Sequence, residues 1–170
     1  GGGAKNSRKK SGEGEKSSEG SGIDGAELVV RIEAALMGVA DEAYGKRQSQ
    51  YLRHQFRCMG VPAPLLKDTC KRVYEEGVRL KDLSVEGVRR AAFLSYEKEH
   101  REMHNWAVYM LAVRHDAFDL KMAKQLIVRH SWWDTVDSLA CNVVGPIVLR
   151  DREAGTKEMR EWLADKDIWG

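Results

Sequence analysis

Residues 131–137 read Ser-Trp-Trp-Asp-Thr-Val-Asp, which places two of the chain's five tryptophans and two carboxylates within about two helical turns. Ser131 followed by Asp134 is typical of a helix start, because the hydroxyl can cap a free backbone N–H and the carboxylate favours the positive end of the helix dipole. Steps of three and four residues then produce one apolar stripe, made by Trp132, Val136, Leu139 and Val143. The stretch therefore predicts an amphipathic helix packed on a core.

Trp133 and Asp137 fall outside that stripe and lie one turn apart on a neighbouring face. Periodicity alone favours packing for a double tryptophan and solvation for such an aspartate. An aromatic plane beside a carboxylate that neither caps a helix nor has an evident ion-pair partner also suits a site for cationic, planar or charge-developing chemistry. Trp133 and Asp137 are therefore the candidate site residues.

The helical pattern continues along the rest of the chain. Amphipathic helices are predicted at 24–40, 42–58, 62–77, 82–97, 101–113, 117–129, 132–150 and 155–164. Breaks are predicted at Gly60, Gly77, Ser84, residues 130–131 and Gly155. Pro146 should kink its helix or divide it after Gly145, because proline lacks a backbone donor. We predict an all-α fold, an α-solenoid of HEAT-like antiparallel helix pairs, with a closed helical bundle as the alternative.

The composition fits one folded domain that follows a polar tail. Of the 170 residues, 42% are hydrophobic and 32% are charged, which suits a single core. Residues 1–22 are mostly Gly, Ser, Lys and Glu and cannot repay the entropy of ordering. We expect a disordered tail over 1–22 and a helical domain over 23–170. The formal net charge of +2 leaves the partner open.

Cysteines and histidines give no sign of a disulfide framework or a metal site. Cys58, Cys70 and Cys141 are odd in number and include no Cys-x-x-Cys pair, which favours a reducing compartment. His100 and His104 have the spacing of zinc ligands, but glutamate does not directly follow the first histidine and no third ligand is evident. We therefore predict that these histidines face solvent or pack, and that no metal binds.

Other classes of protein are also disfavoured. No apolar run approaches the length that crosses a bilayer, and the N-terminus lacks the apolar centre of a signal peptide. Phosphate-binding glycine loops and the Gly-x-Ser-x-Gly pattern do not occur in the sequence. We expect a soluble intracellular protein of the nucleus or cytoplasm, without a membrane partner, nucleotide or other cofactor.

The 131–137 stretch, followed by Gly145, resembles the signature of the DNA alkylation repair family, the AlkD-type alkylpurine DNA glycosylases built from HEAT-like helical repeats. Weaker matches support it, at 51–56, 59–61, Pro64, Lys67, 101–102 and 167–169. The resemblance covers roughly residues 28–169. The chain ends at Gly170, where the family pattern continues into an arginine-bearing helix and later helices with another cleft aromatic. We therefore expect a domain that lacks its C-terminal helices.

The resemblance implies a glycosylase that hydrolyses the N-glycosidic bond of cationic N3- or N7-alkylated purines in duplex DNA, as a step of base excision repair. It implies that Asp137 is the catalytic carboxylate, which stabilises an oxocarbenium-like transition state and positions or deprotonates water. Trp133, Tyr51, Lys67 and Arg53 would contact the damaged DNA from an open concave groove. We expect a monomer. The alternative is a non-catalytic helical-repeat module that binds DNA or a protein partner.

Overall fold

The computed structural model describes residues 24–76 and 79–165, and in this part of the chain the regular structure is helical apart from one isolated bridge between Arg57 and His100. The helices are α1 Gly25–Met37, α2 Glu42–Tyr51, α3 Ala63–Glu76, α4 Val85–Tyr96, α5 Arg101–Val113, α6 Leu120–Arg129, α7 Trp133–Leu139, α8 Gly145–Arg150 and α9 Arg152–Ala164. Short 3₁₀ turns lie at Leu80–Asp82 and His115–Ala117. The predicted all-α fold is confirmed. None of the helices in the described ranges has the length and apolarity to cross a bilayer.

Side-chain caps explain where several helices begin. In each case a carboxylate or hydroxyl accepts a hydrogen bond from a backbone N–H of the first turn that has no partner within the helix. The capping residues are Asp24 for α1, Asp41 for α2, Ser84 for α4, Asp119 for α6 and Asp151 for α9. Local sequence therefore fixes these helix starts.

The core forms where α1 and α3 pack together, where α4 packs on both α1 and α5, and where α5 meets α7. Each helix buries one apolar face, as Leu28 and Ile32 of α1 and Leu111 of α5 illustrate. Trp106 of α5 is fully buried and its Nε1 donates to the hydroxyl of Tyr74 at 2.6 Å. Burying side chains of this size stabilises the fold by about 1.5–3 kcal/mol each. This packing is consistent with a helical-repeat solenoid.

Two predicted boundaries are wrong. Helix α2 ends at Tyr51 rather than near residue 58, because Arg53 and His54 take left-handed φ angles of 54° and 58° that no α-helix can continue. Gly155 does not break a helix but lies inside α9, where an added Cβ would stand 3.0 Å from the Cα of Val148. Glycine therefore serves close packing of α9 on α8.

The other predicted breaks have different outcomes. Gly60 does interrupt the helices, at a φ of 91°, and Ser84 begins α4. The break at 130–131 also occurs, since α6 ends at Arg129 and α7 begins at Trp133. The predictions for Gly77, for the 1–22 tail and for the 167–169 match lie outside the described residues.

The predicted disturbance near Pro146 begins earlier than the proline itself. Between α7 and α8 the chain forms a π-helical segment, Ala140–Val144, in which Gly145 donates its N–H to the carbonyl of Ala140. Helix α8 then starts at Gly145 with Pro146 in its first turn, a position where the missing N–H of proline costs little. The segment predicted at 132–150 is therefore helical through most of its length but changes its hydrogen-bonding pattern at residue 140.

Candidate active site

Tyr51 and Trp133 come together although they are far apart in sequence. Tyr51 is the last residue of α2 and Trp133 the first of α7, and their ring centroids lie 5.7 Å apart at an interplanar angle of 74°. Both rings face solvent, with 70% of Tyr51 and 49% of Trp133 exposed. The fold therefore leaves two large aromatic rings in an exposed edge-to-face pair instead of burying them in its core.

Asp137 lies one turn after Trp133 on the exposed side of α7. Within residues 24–76 and 79–165 its carboxylate forms no hydrogen bond and no ion pair. It is neither sealed in the hydrophobic interior nor locked to a guanidinium. Its oxygens therefore stay open to water or to a bound molecule.

The predicted N-cap of α7 is wrong. The cap position is held by Trp132, whose side chain makes no capping bond. Ser131 instead donates its hydroxyl backwards, to the carbonyl oxygens of Ile127 at 2.9 Å and Val128 at 3.4 Å. The reason is proximity, since those carbonyls lack partners at the end of α6 and lie within reach of a hydroxyl that follows them.

Asp134 lies in the first turn of α7, and its Oδ1 accepts the N–H of Thr135 at 2.8 Å. It also forms an ion pair that the sequence did not indicate, with Arg101 at the start of α5. The Nε of Arg101 donates to Asp134 Oδ2 at 3.3 Å and its Nη2 donates to Asp134 Oδ1. The two-pronged geometry is the one that makes arginine and carboxylate pairs directional.

Arg101 is only 2% exposed, and all three nitrogens of its guanidinium donate hydrogen bonds. Besides Asp134, Nη2 donates to the Thr135 hydroxyl at 2.8 Å and Nη1 to Nδ1 of His104 at 3.2 Å. The guanidinium carbon lies 3.9 Å from the centre of the Phe56 ring. The sequence did contain a sign that Arg101 is buried, because Arg101 lies on the same face of α5 as the buried Val108.

Glu102, the neighbour of Arg101, is buried as well and holds a backbone turn. Its Oε2 accepts the N–H of Met59 at 2.9 Å, while Oε1 accepts those of Gly60 at 2.9 Å and Val61 at 3.2 Å. Three consecutive N–H groups that converge on one carboxylate form a strong anion-binding arrangement. The turn between α2 and α3 is therefore fixed to α5 by a single side chain.

A cavity of about 360 Å³ opens between α2, α5 and α7. It is lined by Tyr44, Arg47, Gln48, Tyr51, Leu52, Arg101, Glu102, Asn105 and Asp134. Of the predicted site residues only Tyr51 and Asp134 take part in this lining. Asp137 and Trp133 lie on the neighbouring surface of α7, where Trp133 reaches the cavity rim through Tyr51.

Two predicted DNA contacts lie further from this centre. Lys67 is exposed on α3, with its Nζ 5.7 Å from the centre of the Tyr109 ring. Arg53 is exposed in the left-handed turn just beyond Tyr51. Neither residue is among those that line the cavity. The fold thus brings Arg53 close to the aromatic pair along the chain and leaves Lys67 on another helix.

A cluster of aromatic rings, of which His104 is buried and the others are half-buried, lies next to the start of α7. The rings of His104 and His130 stack with centroids 4.3 Å apart, and Phe56 packs edge-on against both at 5.7 and 5.8 Å. Trp132 joins Phe56 at 6.3 Å. His104 therefore packs, which is one of the two roles predicted for it. In the described ranges no three His, Cys, Asp or Glu side chains converge as metal ligands would.

Comparison with known proteins identifies a family. The model of a family described as DNA alkylation repair enzyme matches residues 32–170, which is most of the chain. No curated protein matches the chain. The matched range includes α2, α5 and α7 and therefore every residue of the site described above.

Proposed function

The chain belongs to the family of DNA alkylation repair enzymes, and we propose that it is a DNA glycosylase that acts on cationic N3- or N7-alkylated purines in duplex DNA. One observation carries the proposal. Asp137, a carboxylate with open oxygens, lies one turn from Trp133, whose exposed ring pairs with that of Tyr51. In this proposal the protein acts as a monomer, needs no cofactor and starts base excision repair.

The chemistry needs little more than one well-placed negative charge. Alkylation at N3 or N7 makes the purine cationic, so the base leaves as a neutral molecule when it takes the electron pair of the bond between N9 and C1′. Positive charge then develops on C1′ and O4′ of the deoxyribose. Asp137 stabilises this charge and accepts a proton from the water whose oxygen bonds to C1′. The products are the free alkylated base and an abasic site.

The aromatic pair supplies the binding surface in this proposal. An indole face attracts a cation through its quadrupole, and an alkylated purine is both cationic and planar. Trp133 lies on the same helix as Asp137, so a nucleotide held against the indole has its sugar within reach of the next turn of α7. Tyr51 supports the ring of Trp133 from α2 and contacts the neighbouring backbone.

Phosphate contacts would come from the cations around this surface. Arg47 is exposed at the rim of the cavity and Arg53 follows Tyr51 directly along the chain. Lys67 extends the surface onto α3. Each phosphate that a cation neutralises makes binding more sensitive to salt. For every such contact, the logarithm of the binding constant falls by about 0.9 when the salt concentration rises tenfold. We propose that the helices form HEAT-like repeats, and that the duplex lies in an open groove rather than delivering its base to a deep pocket.

The test is base release from duplex DNA that contains N7-methylguanine or N3-methyladenine. Free base and abasic sites are measured with the wild-type chain and with Asp137→Asn, which keeps the shape of the side chain and removes its charge. We expect release by the wild type, and a loss of about a hundredfold or more in the variant, the size of effect seen when one stabilising group of this kind is removed. DNA affinity should change little.

The matched control is Glu161→Gln, which neutralises an exposed carboxylate on α9 and should release base at the wild-type rate. Equal turnover by Asp137→Asn and the wild type would reject the role of Asp137. If the wild type binds DNA in a salt-dependent way but releases no base, the protein is a non-catalytic DNA-binding module and not a glycosylase.

A further inference from the structure

The residues Arg101 and Glu102 connect the two segments that carry the aromatic pair. On one side the guanidinium of Arg101 holds the first turn of α7 through Asp134 and Thr135. Trp133 immediately precedes these two residues. A guanidinium that is 2% exposed and bonded at fixed angles leaves the start of α7 little freedom to rotate or slide along α5.

On the other side the same pair of residues holds the chain that follows Tyr51. The Arg101 guanidinium stacks on the ring of Phe56, and the backbone N–H of Arg101 donates to the carbonyl of Arg57 at 2.9 Å. One side chain therefore contacts the segment after α2 with its flat face and α7 with its edge. Guanidinium groups combine these two kinds of contact, and lysine cannot.

Glu102 completes the connection through the turn at 59–61. Its carboxylate holds three successive N–H groups, and the carbonyl of Gly60 in that turn accepts the N–H of Asp41, which caps α2. The turn also lies close to the middle of α2, since a Cβ at Gly45 would stand 2.8 Å from the carbonyl oxygen of Cys58. Glu102 thereby fixes the position of α2, whose last residue is Tyr51.

We propose that Arg101 and Glu102 are positioning residues, which set the placement of Trp133 and Tyr51 relative to each other. A buried ion pair is a poor source of net stability, because apolar residues of the same size commonly stabilise a fold as well or better. What an ion pair with a two-pronged geometry adds is a fixed relative orientation of the groups that it joins. An exposed edge-to-face pair has little packing of its own to hold its geometry. The orientation of its two rings must therefore come from the elements that carry them.

The first test follows the surroundings of Trp133 by fluorine NMR and does not depend on catalysis. The chain is labelled with 5-fluorotryptophan, and the fluorine resonances of Trp133 and Trp106 are assigned by single replacement with phenylalanine. In Asp134→Asn and in Arg101→Lys the Trp133 resonance should move, because the two-pronged pair is lost. Trp106, which is fully buried in the core, should keep its resonance. Glu102→Gln should move the Trp133 resonance through its partner Tyr51.

The control is Arg89→Lys. Arg89 also links two helices, since its Nε donates to the carbonyl of Ala117 and its Nη2 to Asp119, both at 2.9 Å, but it lies away from the aromatic pair. This variant should leave the Trp133 resonance unchanged. An unchanged Trp133 resonance in both Asp134→Asn and Arg101→Lys would overturn the proposal. The proposal would also be overturned if all fluorine resonances of the mild variant Asp134→Asn took the positions of an unfolded chain. That result would show that the ion pair is needed for folding rather than for positioning.

The second test rests on the proposed function and measures single-turnover base release. Misplacing a reacting group by about 1 Å can cost about a hundredfold in rate, so Asp134→Asn should release base about ten to a hundred times more slowly at saturating enzyme. Its dissociation constant for DNA should stay within about threefold of the wild-type value. A normal rate with a displaced Trp133 resonance would overturn the catalytic consequence. A wild type without base release would reject the glycosylase, while the fluorine spectra still decide the positioning roles.

Discussion

The ring of Tyr51 meets the ring of Trp133 edge to face at 5.7 Å, which joins the end of α2 to the start of α7 on the surface of the molecule. Neither ring is needed to fill the core, and both remain largely open to solvent. Pairs of this kind contribute about 0.5–1.5 kcal/mol beyond the area they bury. The contact is therefore too weak to hold the two helices together, and the surface it forms is its more important property.

The first prediction concerns DNA binding by this pair. Trp133→Ala should weaken binding to alkylated duplex DNA at least severalfold, because stacking on an aromatic side chain contributes about 1–3 kcal/mol per base. Tyr51→Ala should also weaken it, because the indole loses its supporting ring and the DNA backbone loses a contact. A double-mutant cycle on the free energy of unfolding should give a coupling near the low end of the range for aromatic pairs, about 0.5 kcal/mol. Leu163→Ala, which removes another exposed apolar side chain, should leave DNA affinity unchanged.

The second prediction concerns the turn that Glu102 holds. Gly60→Ala should destabilise the fold by more than about 2 kcal/mol, because φ is 91° and an added Cβ would stand 1.8 Å from the carbonyl oxygen of Asp41. The control is Gly38→Ala at the end of α1, where φ is −66° and an added Cβ has its nearest neighbour at 3.4 Å. That change should be neutral or stabilising by about 0.4–1 kcal/mol. Urea unfolding measures both, and equal midpoints would refute the role of Gly60.

Much of the helical fold could be predicted from the sequence because its signals are local. A period of 3.6 residues and capping residues such as Ser84 act within one or two turns, and most of the predicted helices form close to where they were placed. The end of α2 could not be predicted in this way. Neither Arg53 nor His54 is the glycine that usually marks a left-handed helix end, and the N–H of His54, which donates to the carbonyl of Ser49 at 2.7 Å, closes α2 without such a residue.

The candidate site was predictable to a similar extent. The helical period separates Trp133 and Asp137 from the packing face of α7, and that separation is observed as exposure. The partner of Asp134 could not be found from local sequence, because Arg101 is brought to it by the packing of α5 on α7. Ser131 was assigned to the wrong helix for a related reason, since a hydroxyl between two helices can serve the end of one or the start of the next.

The third prediction concerns thiol reactivity. Burial raises the pKa of Cys70 to about 12, and burial together with the charge of Glu102 raises the pKa of Cys58 to about 11. Cys141 is exposed on the π-helical segment. At pH 8 an aromatic disulfide reagent should therefore modify Cys141 rapidly in the folded protein and the other two thiols only after unfolding. Cys141→Ser should abolish the rapid phase, and a rapid phase that survives this change would contradict the assignment.

The buried ring of His104 should make stability depend on pH. The pKa of His104 is lowered from 6.5 to about 4, mainly by burial and to a smaller extent by His130 and Arg101, while the carbonyl of Lys98 and the carboxylate of Asp134 oppose the shift. The hydrogen bonds agree with a neutral ring, since Nδ1 accepts from Arg101 and Nε2 donates to the Lys98 carbonyl at 2.8 Å. The folded protein therefore holds fewer protons on His104 than the unfolded chain does between pH 6.5 and 4.

The free energy of unfolding should consequently fall as the pH drops from about 6.5 towards 4, because protons bind preferentially to the unfolded chain in that window. A shift of this size corresponds to a loss on the order of 3 kcal/mol, at about 1.4 kcal/mol for each pKa unit. Urea unfolding between pH 4 and 7 measures the slope. His104→Gln keeps an acceptor and a donor on the side chain without a titratable group, so it should flatten the slope. His100→Gln, at a half-buried position before α5, should not, and an equally steep slope in His104→Gln would assign the pH dependence to other groups.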